Sequence, residues 1–293
     1  MKLTTIDNFF QGVSDLRVLV IGETITDRFQ RVNYEGHSMK SFCPVFRVED
    51  DAISEQQGGA MAVANHLKGF VKQVDIETNG DDHRIVKTRL IDANSSDKHV
   101  EINRFPDFSN HQLDVRGRDY DVVIVADFGH GYCDNLLVDD GFHLMCQTNS
   151  NNFGFNRLSK WKNSHKRSIC IDLREASLQL NKKISSMDEE TIKGLFNYET
   201  NTEEIYVTLG AAGSSFYNGS QFIKTPSFKS QIVDTIGAGD TFFAFACIAS
   251  AIDMNPEQRM LVPALAASLS TTWLCNEKSV EPEALLKYAT QFI

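Results

Sequence analysis

The chain has no apolar stretch long enough to cross a bilayer: its longest run, Phe242 to Ile252, is roughly half of what a spanning helix requires. The N-terminus, MKLTTIDNFFQGVSDLR, has an acid early and no apolar segment of signal-peptide length. Cysteine is sparse and unpatterned. The six residues (43, 133, 146, 170, 247 and 275) form no C-x-x-C pair and no tight cluster with histidines, so the sequence suggests neither a zinc site nor a disulfide framework, and a reducing cytoplasm is the expected location. Basic residues are outnumbered, 29 Lys and Arg against 39 Asp and Glu, for a net charge of -10. That balance excludes the concentrated basic face of a nucleic-acid binder, so neither nucleic acid nor membrane is an expected partner. An anionic small molecule is still compatible with it, because a few local cations override the global sign. There is no Pro-rich linker, internal repeat or heptad region, no H-E-x-x-H, and no G-x-x-x-x-G-K-[ST] phosphate loop.

What is present is an ordinary globular composition, 42% hydrophobic and 23% charged over 293 residues, able to bury a sizeable core. The chain reads as a single domain, 1–293, with a small appendage. RVLVIGE at 17–23, RSICIDL at 167–173, DVVIVADFG at 121–129 and EEIYVTLG at 203–210 are short apolar runs with the grammar of buried parallel strands. Helical spacing is read in GGAMAVANHLKGF at 58–70, around Leu136–Cys146 and over Asp188–Phe196. Strands separated by helices imply βαβ units and a doubly wound sheet with ligands at the carboxyl ends of its strands. PVFRVEDD at 44–51, VKTRLID at 86–92 and KHVEINRF at 98–105 alternate polar and apolar residues instead. They predict a half-exposed lid sheet, its strands within about 28–51 and 86–105.

The most informative stretch is DTIGAGDTFFAFACIASAI, starting at Asp234. A helix N-terminus leaves backbone N–H groups unpaired and carries partial positive charge, and Gly237, Ala238 and Gly239 are small enough to let an anion approach them. Asp240 would sit beside that anion, placed to take a proton from a substrate hydroxyl. The helix dipole is expected to lower its pKa, leaving position as the source of its power as a base. By itself the pattern also fits glycines shaping a tight turn, with Asp240 as an N-cap.

The run Asp234 to Thr241 resembles the C-terminal signature of the ribokinase-like (PfkB) carbohydrate kinases. VLVIGETITDRF resembles that family's first strand, GGAMAVANHL its Gly-Gly helix start, and VTLGAAGSSFY its nucleotide-bordering turn. VIVADFGHG, VANHL and TNSNNFGFN are similar to the members that phosphorylate heptose-7-phosphate and are associated with cytidylyltransferase-like domains. The resemblance implies a three-layer α/β/α sandwich with a mostly parallel central sheet and a small β-sheet lid. It implies ATP with Mg2+, a monovalent cation as a further ligand, a sugar or sugar phosphate as acceptor, Asp240 as general base, and an anion hole at Gly237, Ala238 and Gly239. Substrate residues would be Asp27, Gly58, Gly59, Asn65, Lys87, Arg89 and Asp127; nucleotide residues Thr208, Gly210, Gly213, Thr235 and Asn276. Asp172 and Glu175 resemble the Asn-x-x-Glu pair that acts on metal through water, with Asp172 replacing the Asn. A homodimer through the lid is implied as well. The chain ends with EPEALLKYATQFI, the expected final helix, so any nucleotidyltransferase partner is expected as a separate protein.

The sequence also departs from the family. After NGDD at 79–82 it runs almost at once into the lid strand, leaving out about one βα unit of 25–30 residues. Ala62 stands where many such kinases have a substrate-binding Asn. These departures motivate a second reading, a non-catalytic nucleotide- or sugar-binding homologue acting as a partner or regulatory subunit. Of the other conspicuous residues, His130 sits beside the Asp127 turn and is worth testing. Cys133, Trp161 and Trp273 read as packing, and residues 147–156 as a polar loop.

Overall fold

The computed structural model describes residues 3–95, 97–148, 156–198, 201–228 and 231–292. The strands are β1 (Arg17–Gly22), β2 (Thr24–His37), β3 (Pro44–Gly59), β4 (Gln73–Thr78), β5 (Ile85–Asp92), β6 (Lys98–Arg104), β7 (Leu113–Asp114), β8 (Val122–Asp127), β9 (Leu136–Leu137), β10 (Phe142–Cys146), β11 (Lys166–Asp172), β12 (Thr202–Thr208), β13 (Ser214–Tyr217) and β14 (Phe222–Thr225). The helices are α1 (Leu3–Val13), α2 (Ala60–Leu67), α3 (Leu173–Gln179), α4 (Glu189–Phe196), α5 (Ala238–Ser250), α6 (Pro256–Ser270) and α7 (Pro282–Ala289). The main sheet has eight strands in the order β14-β13-β12-β11-β10-β8-β1-β4, parallel except for the antiparallel β13 and β14. Its middle strands are apolar on both faces because both faces are covered.

The step from β1 to β4 through α2 runs one way along the sheet, and that from β11 to β12 through α3 and α4 runs the other. Right-handed crossovers therefore put these helices on opposite faces. The α2 face also carries α5, α6, α1 and α7, which pack on one another. Helix α5 is buried from Thr241 to Ser250, which is why its sequence is small and apolar all round.

The helix expected over Leu136–Cys146 is not formed. Leu136–Leu137 pairs with β7, Gly141 turns the chain at φ +92°, and Phe142–Cys146 is a wholly buried strand between β8 and β11. Five residues, Phe142–Cys146, are too few to show a helical or a strand period, so burial on both sides decided their state. Its one imidazole, His143, is accommodated by Ser168 Oγ at 2.8 Å, and burial pushes its pKa down to about 3.

The lid is a four-stranded sheet, β3-β2-β5-β6, with β2 and β5 parallel. Strands β2 and β3 extend much further than their alternating segments show, reaching the base of the main sheet at Thr24 and Gly59. Only residues 79–84 separate β4 from β5, and β4 is the last strand on its side of the main sheet.

Candidate active site

The carboxyl ends of β10, β11 and β12, Phe128 just after β8, the start of α5 and the inner face of the lid meet around a cavity of about 790 Å³. Its centre is the α5 N-terminus. Gly237 is the N-cap with φ +85°, and a Cβ there would lie 2.7 Å from Asn276 Oδ1, so only glycine makes this turn. The first intrahelical bond, Thr241 N–H to Gly237 C=O at 2.9 Å, leaves the Gly239 and Asp240 amides at the helix mouth, while the Ala238 N–H donates back to the Thr235 carbonyl at 3.4 Å.

Asp240 stands in that first turn and opens into the cavity. Gln147 Nε2 donates to it at 3.3 Å. Its pKa is raised to about 7, first by burial and then by the Asp27 carboxylate, with Lys87 and Gln147 opposing. This corrects the dipole-based expectation of a lowered pKa: desolvation and a like charge outweigh the helix terminus. The result is a carboxylate poised near neutrality, where a general base works best.

The lid supplies the facing wall. Asp27 on β2 is opposite Lys87 on β5, and Arg89 on β5 is opposite Glu101 on β6. Arg89 is bound by Asp27 in a buried ion pair and by Glu101 at 2.9 Å. The Lys87 side chain is buried and makes no hydrogen bond among the described residues; burial pulls its pKa down while Glu101, Asp27 and Asp240 push it up. Gly58 and Gly59 end β3, and Gly59 lines the cavity. A Cβ on Gly58 would lie 2.8 Å from Asp27 Oδ2 and 2.9 Å from Asn276 Nδ2, and one on Gly59 (φ +64°) would lie 2.2 Å from Glu23 C=O. Lys98 at the start of β6 reaches both oxygens of Asp234 at 3.1 Å, tying the lid to the anion-hole turn.

The other half of the cavity is bounded by Thr208, Gly210, Gly213 and Thr235, over a floor that includes Phe228 and Ala264. Asn276 lines the cavity as well, but between Gly237 and Gly58, with its N–H donated to Gln56 Oε1 at 2.8 Å. Asp172 and Glu175 form a capping box at the start of α3. The Glu175 oxygens accept N–H groups of Thr148 and Asp172, both at 2.8 Å, and burial lifts its pKa to about 8.

Three expected substrate residues do not line this cavity: Gly58, which sits behind Gly59 against Asp27 and Asn276, Asp127 and Asn65. The Asp127 carboxylate is fully buried and occupied by Lys160 Nζ at 2.6 Å, Trp161 Nε1 at 2.9 Å and the Gly129 N–H at 3.1 Å, so Asp127 anchors the loop that follows β8. Asn65 accepts from Lys68 Nζ at 2.7 Å along its own helix. His130 packs on Phe105 with ring centroids 4.8 Å apart and lies outside the cavity, as does Cys133, whose thiol burial pushes well up. Of the polar loop at 147–156, residues 149–155 lie outside the described residues.

Sequence reasoning missed Glu23, Gln147 and Glu101. Glu23 is fully buried and accepts the N–H groups of Phe128 at 2.5 Å, His130 at 3.0 Å and Tyr132 at 3.2 Å, holding the post-β8 turn beside the site. An acid directly after a buried strand was the available signal. Gln147 and Glu101 carried none, since each matters only through a partner distant in sequence.

Residues 163–272 match the pfkB family carbohydrate kinases. The chain is 25% identical to the Bifunctional protein HldE of Helicobacter pylori (strain HPAG1), over 78% of this chain and 57% of that protein, so it spans little more than half the length of this relative. Among solved structures, it superposes on a ribokinase from Thermotoga maritima with a TM-score of 0.65 at 16% identity, covering 94% of this chain and 99% of that one. It superposes equally, TM-score 0.65 at 14% identity, on Arabidopsis thaliana ribokinase complexed with ribose and ATP, over 94% and 98% of the two chains.

Proposed function

We propose that this chain, which carries a PfkB-type kinase segment on a ribokinase-like fold, is an ATP-dependent kinase that transfers the γ-phosphoryl group to a hydroxyl of a sugar or sugar phosphate. One observation carries the reading: Asp240, with its pKa near 7, stands at the open mouth of α5 and faces the Asp27, Lys87 and Arg89 wall across a single cavity. The nucleotide would lie over Thr208, Gly210, Gly213 and Thr235, with its terminal phosphate at the helix mouth. The acceptor would lie under the lid, with Asp27 and Gly59 against its hydroxyls. Asp240 takes the proton of the attacking hydroxyl, and the amides after Gly237 stabilise the charge on the phosphoryl oxygens. Lys87, buried and without a hydrogen-bond partner among the described residues, adds a cation to that charge or to an anionic acceptor. Holding both partners in line supplies much of the acceleration.

The donor set fits magnesium held mainly by phosphates and water. Asp172 presents a carboxylate at the cavity, one oxygen of which caps α3, whereas both Glu175 oxygens are engaged by N–H groups. Asp172 would therefore orient the ion through water, and the ion would neutralise phosphate charge. A heptose derivative for surface-polysaccharide or nucleotide-sugar synthesis is the acceptor that the HldE likeness favours, with a separate nucleotidyltransferase as partner. A cytoplasmic homodimer through the lid completes the reading; Ile53 and Ile102, on the lid's outer face, are about half exposed.

The test is ADP formation from Mg-ATP against hexoses, heptoses and their phosphates, comparing wild type with Asp240→Asn. Acceptor-dependent turnover lost in the variant supports the kinase. ATP binding with no acceptor-stimulated turnover supports the non-catalytic homologue instead.

A further inference from the structure

A buried chain of hydrogen bonds runs behind the anion hole and belongs to none of the groups assigned above. His66 on α2 is 3% exposed. Its Nδ1 accepts the backbone N–H of Val280, just before α7, at 3.0 Å. That donor requires Nδ1 to be unprotonated, so the ring proton is on Nε2 and points at Thr241 Oγ1, 3.0 Å away. With its lone pair engaged, the Thr241 hydroxyl donates to the Gly237 carbonyl at 2.9 Å, the same oxygen that accepts the Thr241 N–H. Every donor in the chain has one acceptor, and the direction is fixed from Val280 to Gly237. Gly237 is the left-handed N-cap that sets the path of the chain into α5, whose first residues, Gly239 and Asp240 among them, line the cavity.

We propose that His66 is a positioning residue of the anion hole, acting through Thr241 to fix the Gly237 carbonyl and thus the aim of the α5 N-terminal amides. The imidazole touches no ligand; it sets the hydroxyl rotor that clamps the peptide. Anion-hole catalysis depends on donors held in place before charge develops, and a clamp with a single allowed hydrogen-bond direction does this without a reorganising group. The proposal rests on the kinase reading for its kinetic readout but not for its binding readout.

The experiment compares His66→Leu, His66→Gln, Thr241→Val, Thr241→Ser and the His66→Leu/Thr241→Val double variant, each well below its own melting temperature. Removing a positioned link is expected to lower kcat about tenfold in His66→Leu and Thr241→Val, with the KM for acceptor little changed. The double variant falls no further than the worse single one, because both break the same chain. Thr241→Ser keeps the hydroxyl, and His66→Gln supplies one acceptor and one donor, so both stay within about threefold of wild type. Wild-type kcat in folded His66→Leu, or losses that multiply in the double variant, overturns the proposal. Should His66→Leu not fold, the Thr241→Val and Thr241→Ser pair decides alone. If no acceptor gives turnover even in wild type, the kinase reading fails, and ATP affinity by calorimetry still tests the clamp: weaker binding in His66→Leu restored in His66→Gln supports it, and equal affinity across the series refutes it.

Discussion

Asp240 gives one perturbation with two independent readouts. Its pKa of about 7, against 3.8 for the ordinary group, leaves about a tenth of the enzyme with an ionised base at pH 6 and about nine tenths at pH 8. Activity that needs the carboxylate should therefore rise about tenfold in kcat/KM across that interval, whereas an aspartate of ordinary pKa would give a flat profile. Lys87 lowers this pKa, so Lys87→Met should move the acid limb to higher pH. The same shift acts on stability. A raised carboxylate binds its proton more tightly in the folded state, so its contribution is fully present below the unfolded pKa of 3.8 and is lost as pH rises to about 7. About three pKa units correspond to as much as about 4 kcal/mol. Asp240→Asn, whose amide can still accept from Gln147, removes that penalty. Its stability by urea denaturation should match wild type near pH 3.5 and exceed it by up to about 4 kcal/mol at pH 8. A flat activity profile from pH 5.5 to 8, together with equal stabilities at pH 8, would refute the account of the Asp240 environment.

Arg89→Met strands the buried Asp27 carboxylate beside Asp240, and should destabilise by about 3–5 kcal/mol, read by chemical denaturation; the Asp27→Asn/Arg89→Met pair should recover most of it. Recovery failing would mean that the ion pair is not what the substitution disturbs. Gly213→Ala places a Cβ 2.0 Å from the Thr225 carbonyl at φ +93°, whereas at Gly210 (φ +56°) nothing lies within 4 Å. Melting temperatures should fall sharply for Gly213→Ala and by only about 1–2 kcal/mol equivalent for Gly210→Ala; similar losses in both would contradict the close packing of β14 against the turn.

The elements whose causes are local are legible in the chain alone. β1, β8, β11 and β12 are continuous apolar runs that can be stable only when covered on both faces. The turn into α5 is legible because positive φ at Gly237 and small residues at a helix start are short-range backbone requirements. For the same reason the Asp172–Glu175 spacing was visible, although its use as a capping box was not. Tertiary structure decided the rest. Phe142–Cys146 became a strand because of its neighbours, Asp127 became an anchor because Lys160 and Trp161 fold onto it, and Asn65 was turned away from the cavity. The acid strength of Asp240 was decided in the same way: the local sequence offers only a helix dipole, while burial and Asp27 on a lid strand set the direction. Desolvation and charge act through space, between residues that chain order does not bring together, so the chemistry of this site exists only in the folded protein.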